Sequence, residues 1–172
     1  MKRLWAPWRK SYVLGGKRKK GCFFCEDFRA PAKKDPGNLV LHRSVNGFIV
    51  LNRYPYINGH VMLVPNRHVA TMEKLNDRER LDILKLLDLS MELLRRSFHP
   101  QGFNVGINLG RSGGAGVPGH VHLHVVPRWN GDTNFMPVLT GTKVISDSLE
   151  STYHRLRENL KSSFSRISKA GK

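Results

Sequence analysis

The order of hydrophobic and polar positions predicts strands first, then a helix, then strands again and a second helix. Three short runs rich in Val, Ile and Leu (Leu39–Arg43, Phe48–Asn52 and Val61–Val64) are punctuated by Asn46-Gly47 and Asn58-Gly59, the pattern of an antiparallel meander. The stretch Ala30–Asn38 before them reads as a loop by its Pro, Gly and Lys content. Leu84, Leu87, Met91, Leu94 and Phe98 then recur at spacings of three and four, behind an Asn76 and Glu79 pair that can form a capping box. This amphipathic helix stops at His99-Pro100-Gln101-Gly102, where proline cannot continue the ladder and glycine supplies the exit turn. Phe103–Leu109 returns to strand, a loop with Gly110, Gly113, Gly114 and Gly116 follows, and His120–Val126 alternates strictly until Pro127. A second helix starts near Ser146 or Ser148 and carries Leu149, Tyr153, Leu156, Leu160, Phe164 and Ile167 on one face. The expected class is α+β, an antiparallel sheet of about five strands with two main helices.

Composition narrows the setting. The 172 residues suit one compact domain, read as a basic arm over 1–20, a domain over 21–167 that includes the C-terminal helix, and a frayed tail over 168–172. With 40% hydrophobic and 24% charged residues, disorder and a coiled coil drop out. No apolar run approaches the about 20 residues of a membrane helix, so no membrane partner is expected. The two cysteines, Cys22 and Cys25, form a CxxC too close-set to staple a fold, which reads as a cytoplasmic protein with a metal or redox pair. Charge is the unusual bulk property: 29 Lys and Arg against 13 Asp and Glu give +16, and eight cations precede the first acid, Glu26. The first twenty residues lack the apolar core of a secretory signal, while an organelle transit peptide has a similar basic composition. Lys17–Lys20 is either a solvated loop or a surface for nucleotide phosphates or RNA.

The candidate chemistry lies in His120-Val121-His122-Leu123-His124. A two-residue period puts three imidazoles on one face of a strand, about 6.7 Å apart, with aliphatic residues on the other. Three readings follow: a polar sheet face, a metal site, or an anion site. Against a metal held by all three, no acid occurs between Glu92 and Asp132. An acid-free segment with four glycines and Arg111 favours a phosphate ester. A neutral imidazole can attack phosphorus if one ring nitrogen is held protonated so that the other presents its lone pair. Neighbouring histidines can stabilise charge or protonate the leaving group. For the cysteines, a Cys₂His₂ zinc site, a redox pair and two plain core thiols are the alternatives.

His120–Val126 resembles the signature of the histidine triad superfamily of nucleotide hydrolases and transferases. Trp5-Ala-Pro-Trp-Arg9, Cys22-Phe-Phe-Cys25, Leu51-Asn-Arg-Tyr-Pro55, Gly59-His60, Asn108-Leu-Gly110 and Val126–Pro137 extend the likeness to the bacterial branch with diadenosine tetraphosphate phosphorylases. The resemblance implies a homodimer with a continuous sheet. It makes His122 the nucleophile, with His124 on phosphate and His60 in the catalytic group. Asn52 would bond ribose and Asn108 the α-phosphate, beside Gly114 and Gly116. Phe24 would border the base, and Trp129 would face the substrate. Cys22, Cys25, His68 and His120 would hold a structural zinc. The glycine loop is one residue longer than in eukaryotic members and carries Gly116 and Val117 where those have amides or hydroxyls, which leaves Ser112 or backbone N–H groups for the leaving group.

The expected function is cleavage of dinucleoside polyphosphates such as diadenosine tetraphosphate through a nucleotidyl-histidine, with phosphate or water as acceptor. The alternatives are a basic nucleotide- or RNA-binding protein without turnover and a nucleoside phosphoramidate hydrolase.

Overall fold

The computed structural model describes residues 21–132 and 147–170, the stretch 163–170 as backbone only. The basic arm with its Trp5–Arg9 motif, residues 133–146, the side chains of Phe164 and Ile167 and the last two residues lie outside that description. Chain order runs α1 (Phe23–Arg29), a 3₁₀ turn (Ala32–Lys34), α2 (Asp35–Asn38), β1 (Val40–Arg43), β2 (Gly47–Leu51), β3 (Val61–Pro65), a 3₁₀ turn (Met72–Lys74), α3 (Asp77–Phe98), β4 (Gly102–Ile107), β5 (Leu123–Arg128) and α4 (Leu149–Ala170). The strands form one antiparallel sheet in the order β1-β2-β3-β5-β4. The α+β class with five strands and two long helices is as expected.

Parity assigns the two faces of the sheet. Val50 pairs with Met62, Met62 with His124 and His124 with Gly106, so these four form one row across β2, β3, β5 and β4. Phe48, on the same face as Val50, stacks on Phe28 of α1 at 6.3 Å. α3 packs on β2, β3 and β5, while α4 lies against α3 and β1. Buried Ile83, Leu86, Leu93 and Leu94 join Ile49, Val61, Leu63, Val125, Leu156 and Leu160 in a single core. Tyr153 Oη donates to Val40 O at 3.0 Å and Arg157 Nη1 to Leu41 O at 2.6 Å, clamping α4 to β1.

Three local expectations change. The capping box at Asn76 and Glu79 forms as read, but the buried stripe of α3 is offset from it. Leu84 is 56% exposed, whereas Ser90 and Ser97 are buried. Ser90 Oγ is satisfied by donating to Leu86 O at 2.7 Å, so a polar residue can occupy the core face. The stretch read as a loop over Ala30–Asn38 holds a 3₁₀ turn and α2, with Pro36 in the first turn where its missing N–H costs no bond. β5 begins at Leu123 instead of His120. Its earlier backbone is engaged elsewhere, His120 N–H on Val117 O at 3.1 Å and Val121 N–H on Val69 O at 2.7 Å. α4 continues as helical backbone through Ala170. No helix among the described residues is long and apolar enough to cross a membrane.

Arg67 ties the end of β3 to the start of α3. Its Nε and Nη2 donate to the two oxygens of Glu79 at 2.8 and 2.7 Å, and Nη2 also reaches Lys74 O at 2.5 Å. These bonds hold the Glu79 carboxyl down at about 2. Because the folded form favours the carboxylate, this contribution is fully present above the ordinary carboxyl range and fades as pH falls towards about 2. Arg67→Ala should therefore lower the melting temperature at neutral pH by a few degrees, and the gap from the unmodified protein should close in thermal melts run at progressively more acidic pH.

Candidate active site

The site is assembled on the sheet face opposite α3. Hydrogen-bond partners that can only donate or only accept settle most of the histidine tautomers. Tyr56 N–H lies 3.1 Å from His60 Nδ1, so that nitrogen accepts. His60 Nε2 then carries the proton and donates to His124 Nδ1 at 2.9 Å, which leaves the N–H of His124 on Nε2. Asn52 Oδ1 accepts from Tyr54 N–H at 2.9 Å, fixing its amide so that Nδ2 faces the His60 ring at 3.3 Å. In the other direction, His122 Nδ1 donates to the His120 carbonyl at 2.9 Å, and its Nε2 therefore bears the lone pair. Burial keeps His122 below the usual imidazole range, hence neutral near pH 7. The rings of His122 and His124 stand 4.9 Å apart, close to perpendicular.

His120 turns away from this pair. Its Nε2 donates to Pro65 O at 2.8 Å, so Nδ1 is a lone-pair nitrogen. It lies 3.3 Å from Cys22 Sγ, 3.5 Å from Cys25 Sγ and 3.3 Å from His68 Nδ1, and Cys25 Sγ is 3.3 Å from His68 Nδ1. Cys22 caps α1 and Cys25 follows one turn later, which brings both thiols to the same side. All four ligand atoms lie within 4.8 Å of one another. A tetrahedral zinc with ordinary bond lengths needs about 3.3 Å between nitrogens and about 3.6 Å between nitrogen and sulfur. The cluster is thus compatible with zinc, and the carbonyl behind His120 supplies the second hydrogen bond that metal-bound imidazoles usually make. Burial leads the causes that push the Cys25 thiol up and that hold His120 down at about 4.

A cavity of about 380 Å³ opens beside His122 and His124. Phe24, fully buried, forms its wall with a ring 5.0 Å from that of His122. Asn52, Asn108, Gly114 and Gly116 also line it. The glycine loop needs its composition: a Cβ on Gly113 would stand 2.3 Å from Leu109 O, and Gly114 has φ +83°. Of the other expected residues, His60 backs the cavity through His124, while Ser112 and Trp129 are not among its lining residues. Ser112 is exposed, and Trp129 directs its indole N–H to Phe98 O at 3.2 Å.

Asp27, Asn38, Arg53, Tyr54 and Tyr56 line the cavity without having been singled out from the sequence. Burial pushes the Asp27 carboxyl up to about 6 against the pull of Arg53. Asp27 lies three and four residues beyond Phe24 and Phe23, so a helical reading of α1 puts all three on one face.

Comparison with known proteins supplies a frame for this geometry. The family profile described as the HIT domain matches residues 34–131. The "AP-4-A phosphorylase" of Mycobacterium tuberculosis is 38% identical over 157 residues, covering 88% of this chain and 80% of that protein. The asymmetrical bis(5'-nucleosyl)-tetraphosphatase of Schizosaccharomyces pombe is 30% identical over 96 residues, 56% of this chain and 52% of that one. In fold, the chain superposes on a Zn-bound histidine triad family protein from Mycobacterium smegmatis with a TM-score of 0.66 at 24% identity, covering 85% of this chain and 97% of the other.

The tautomer assignment is open to direct measurement. Nitrogen-15 spectra of the histidine rings should show His122 protonated on Nδ1, and His60 and His124 on Nε2. Because burial lowers its affinity for a second proton, His122 should take up that proton at lower pH than an ordinary imidazole. Protonation of His122 in or above the ordinary imidazole range would contradict the arrangement.

Proposed function

The chain belongs to the HIT domain family, in its AP-4-A phosphorylase-like branch, and from that premise we propose that it cleaves dinucleoside polyphosphates by way of a nucleotidyl-His122 intermediate. The observation that carries the proposal is the orientation of His122. Its Nδ1–H is spent on the His120 carbonyl, and its neutral ring lines the cavity, which makes Nε2 available as nucleophile. The relatives named above act on phosphoanhydride bonds, and that is the enzyme class assigned to this chain.

In the first step the Nε2 lone pair forms a bond to the α-phosphorus of the substrate while the bond from that phosphorus to the bridging oxygen breaks. The electron pair leaves with the departing polyphosphate. His124, with its N–H on Nε2, donates to a phosphate oxygen, and His60 passes polarisation from Tyr56 N–H along the row. Asn52 is assigned to ribose, and Asn108 with the N–H groups of Gly114 and Gly116 to phosphate. Phe24 is the wall on which a base lies. In the second step inorganic phosphate or water takes the nucleotidyl group and frees His122.

Zinc fits the Cys22, Cys25, His68 and His120 cluster as a structural ion, since four protein ligands leave no open position for substrate. Bound there, it fixes α1 and His120. Free thiols in such a pair suit the reducing cytoplasm. For assembly, β4 is an outer strand of the sheet with Asn104–Gly106 exposed, and pairing of that edge with a second copy gives the proposed homodimer.

His122→Ala should reduce turnover of diadenosine tetraphosphate by about a thousandfold or more with an unchanged circular dichroism spectrum. In the unmodified protein, ADP formed only when inorganic phosphate is present identifies phosphate as acceptor. AMP and ATP in its absence identify water. Salt-sensitive RNA binding with no nucleotide products would instead favour the binding-protein reading.

For the metal, elemental analysis after purification without chelator should find about one zinc per chain. Cys25→Ser should lose that zinc and lower the melting temperature. Metal-free protein with both thiols freely titratable in the folded state would remove the site.

A further inference from the structure

The cavity lining holds two polar side chains, Asp27 and Asn38, that the cleavage chemistry does not use. Phe24 touches the His122 ring, and Asp27 lies about one helical turn further along α1. Asn38 closes α2 and faces the same space. Leu39 follows it at φ 62°, a left-handed position unfavourable for leucine that is held by its N–H on Asp35 O and Pro36 O. The place of Asn38 is therefore built in by the turn.

Neither side chain has a hydrogen-bond partner among the described residues. Neither nearby arginine hydrogen-bonds the Asp27 carboxylate. Arg43 binds the Asp35 carboxylate at 2.5 Å and takes only the backbone carbonyl of Asp27 at 2.8 Å. Arg53 Nη2 donates to Gly37 O at 3.2 Å. A half-buried carboxylate beside an aromatic wall, left without a donor, is arranged to receive N–H groups from a flat ring lying on that wall.

We propose that Asp27 and Asn38 read the hydrogen-bonding edge of the base and select guanine over adenine, a specificity that rests on the nucleotide-cleaving reading above. Guanine places two N–H donors, on N1 and the exocyclic N2, side by side, and one carboxylate can accept both. Its O6 lies next to them and accepts from an amide such as Asn38 Nδ2. Adenine offers one donor from N6 at that edge and turns the N1 lone pair towards the carboxylate, which repels it. A slot of Phe23, Phe24 and Val50 alone would stack either purine equally.

The test is equilibrium binding of GMP and AMP to the full chain with its metal content as purified, alongside turnover of the bis-guanosine and bis-adenosine tetraphosphates. GMP should bind at least about tenfold more tightly than AMP. Asp27→Asn keeps the shape but presents one acceptor and one donor, the adenine pattern, so the ratio should fall to about one or reverse. Asn38→Ala, a second variant, should also reduce the preference for GMP, and melting curves establish that both variants fold. Equal binding of the two nucleotides by the unmodified protein, or a ratio unmoved in both folded variants, overturns base selection and leaves the cleavage reading intact. If neither mononucleotide binds and neither tetraphosphate is cleaved, both fall.

Discussion

His120 places three of its polar atoms in three different parts of the molecule, and the remaining geometry of the site depends on that division. The ring Nε2–H goes to the carbonyl of Pro65 at the end of β3. The ring Nδ1 faces Cys22, Cys25 and His68. The backbone carbonyl receives the Nδ1–H of His122. Each bond fixes a different degree of freedom: the sheet positions the imidazole, the cysteines hold α1 against it, and the carbonyl sets the tautomer of the next histidine. A buried imidazole without the first two sets of partners would carry an uncompensated desolvation cost.

This division also explains why the sheet ends where it does. Pro65 O would ordinarily face another strand, yet it accepts from a side chain, and the ladder between β3 and β5 stops at Leu63 and Leu123. His120 and His122 are thereby released from strand pairing while retaining the parity of His124, which lies in β5 and shares a row with Met62 and Val50. One sheet face thus receives the candidate site residues. The other receives Ile83, Leu86, Leu93 and Leu94, and the aliphatic packing that stabilises the domain does not compete with the chemistry for positions.

The periodic parts of the chain were legible because their spacing reports burial. The meander, the capped helix and the alternating histidines all follow from residues that repeat at two or three to four. The offset of α3 was not, because Ser90 satisfies its hydroxyl within the helix and passes as polar in any hydropathy reading. α1 was missed for a related reason. It is seven residues long, held by Cys22, Phe24 and the carbonyls that Arg43 takes from Asp27, Phe28 and Ala30, all of which are tertiary contacts. Without α1 there was no signal that Asp27 shares a face with the phenylalanines. The cysteine and histidine ligand set, by contrast, came from resemblance, since no spacing connects residues 22 and 25 to 68 and 120.

The row Tyr56, His60, His124 has a direction, and the direction constrains how charge can move. A backbone N–H cannot give up its proton under ordinary conditions, so Tyr56 polarises His60 and does not protonate it. His60, fully buried and accepting at Nδ1, would have to break that bond to become cationic. Positive charge in the row is therefore disfavoured at His60, and under the proposed mechanism His124 would meet anionic oxygens with a polarised N–H. His122 differs in kind: its partner is a carbonyl, which under the proposed mechanism would stabilise the positive charge formed on the ring when Nε2 bonds to phosphorus. The same imidazole side chain thus presents an N–H at Nε2 in one position and a lone pair at Nε2 in the next by nothing more than whether its Nδ1 faces an N–H or a C=O.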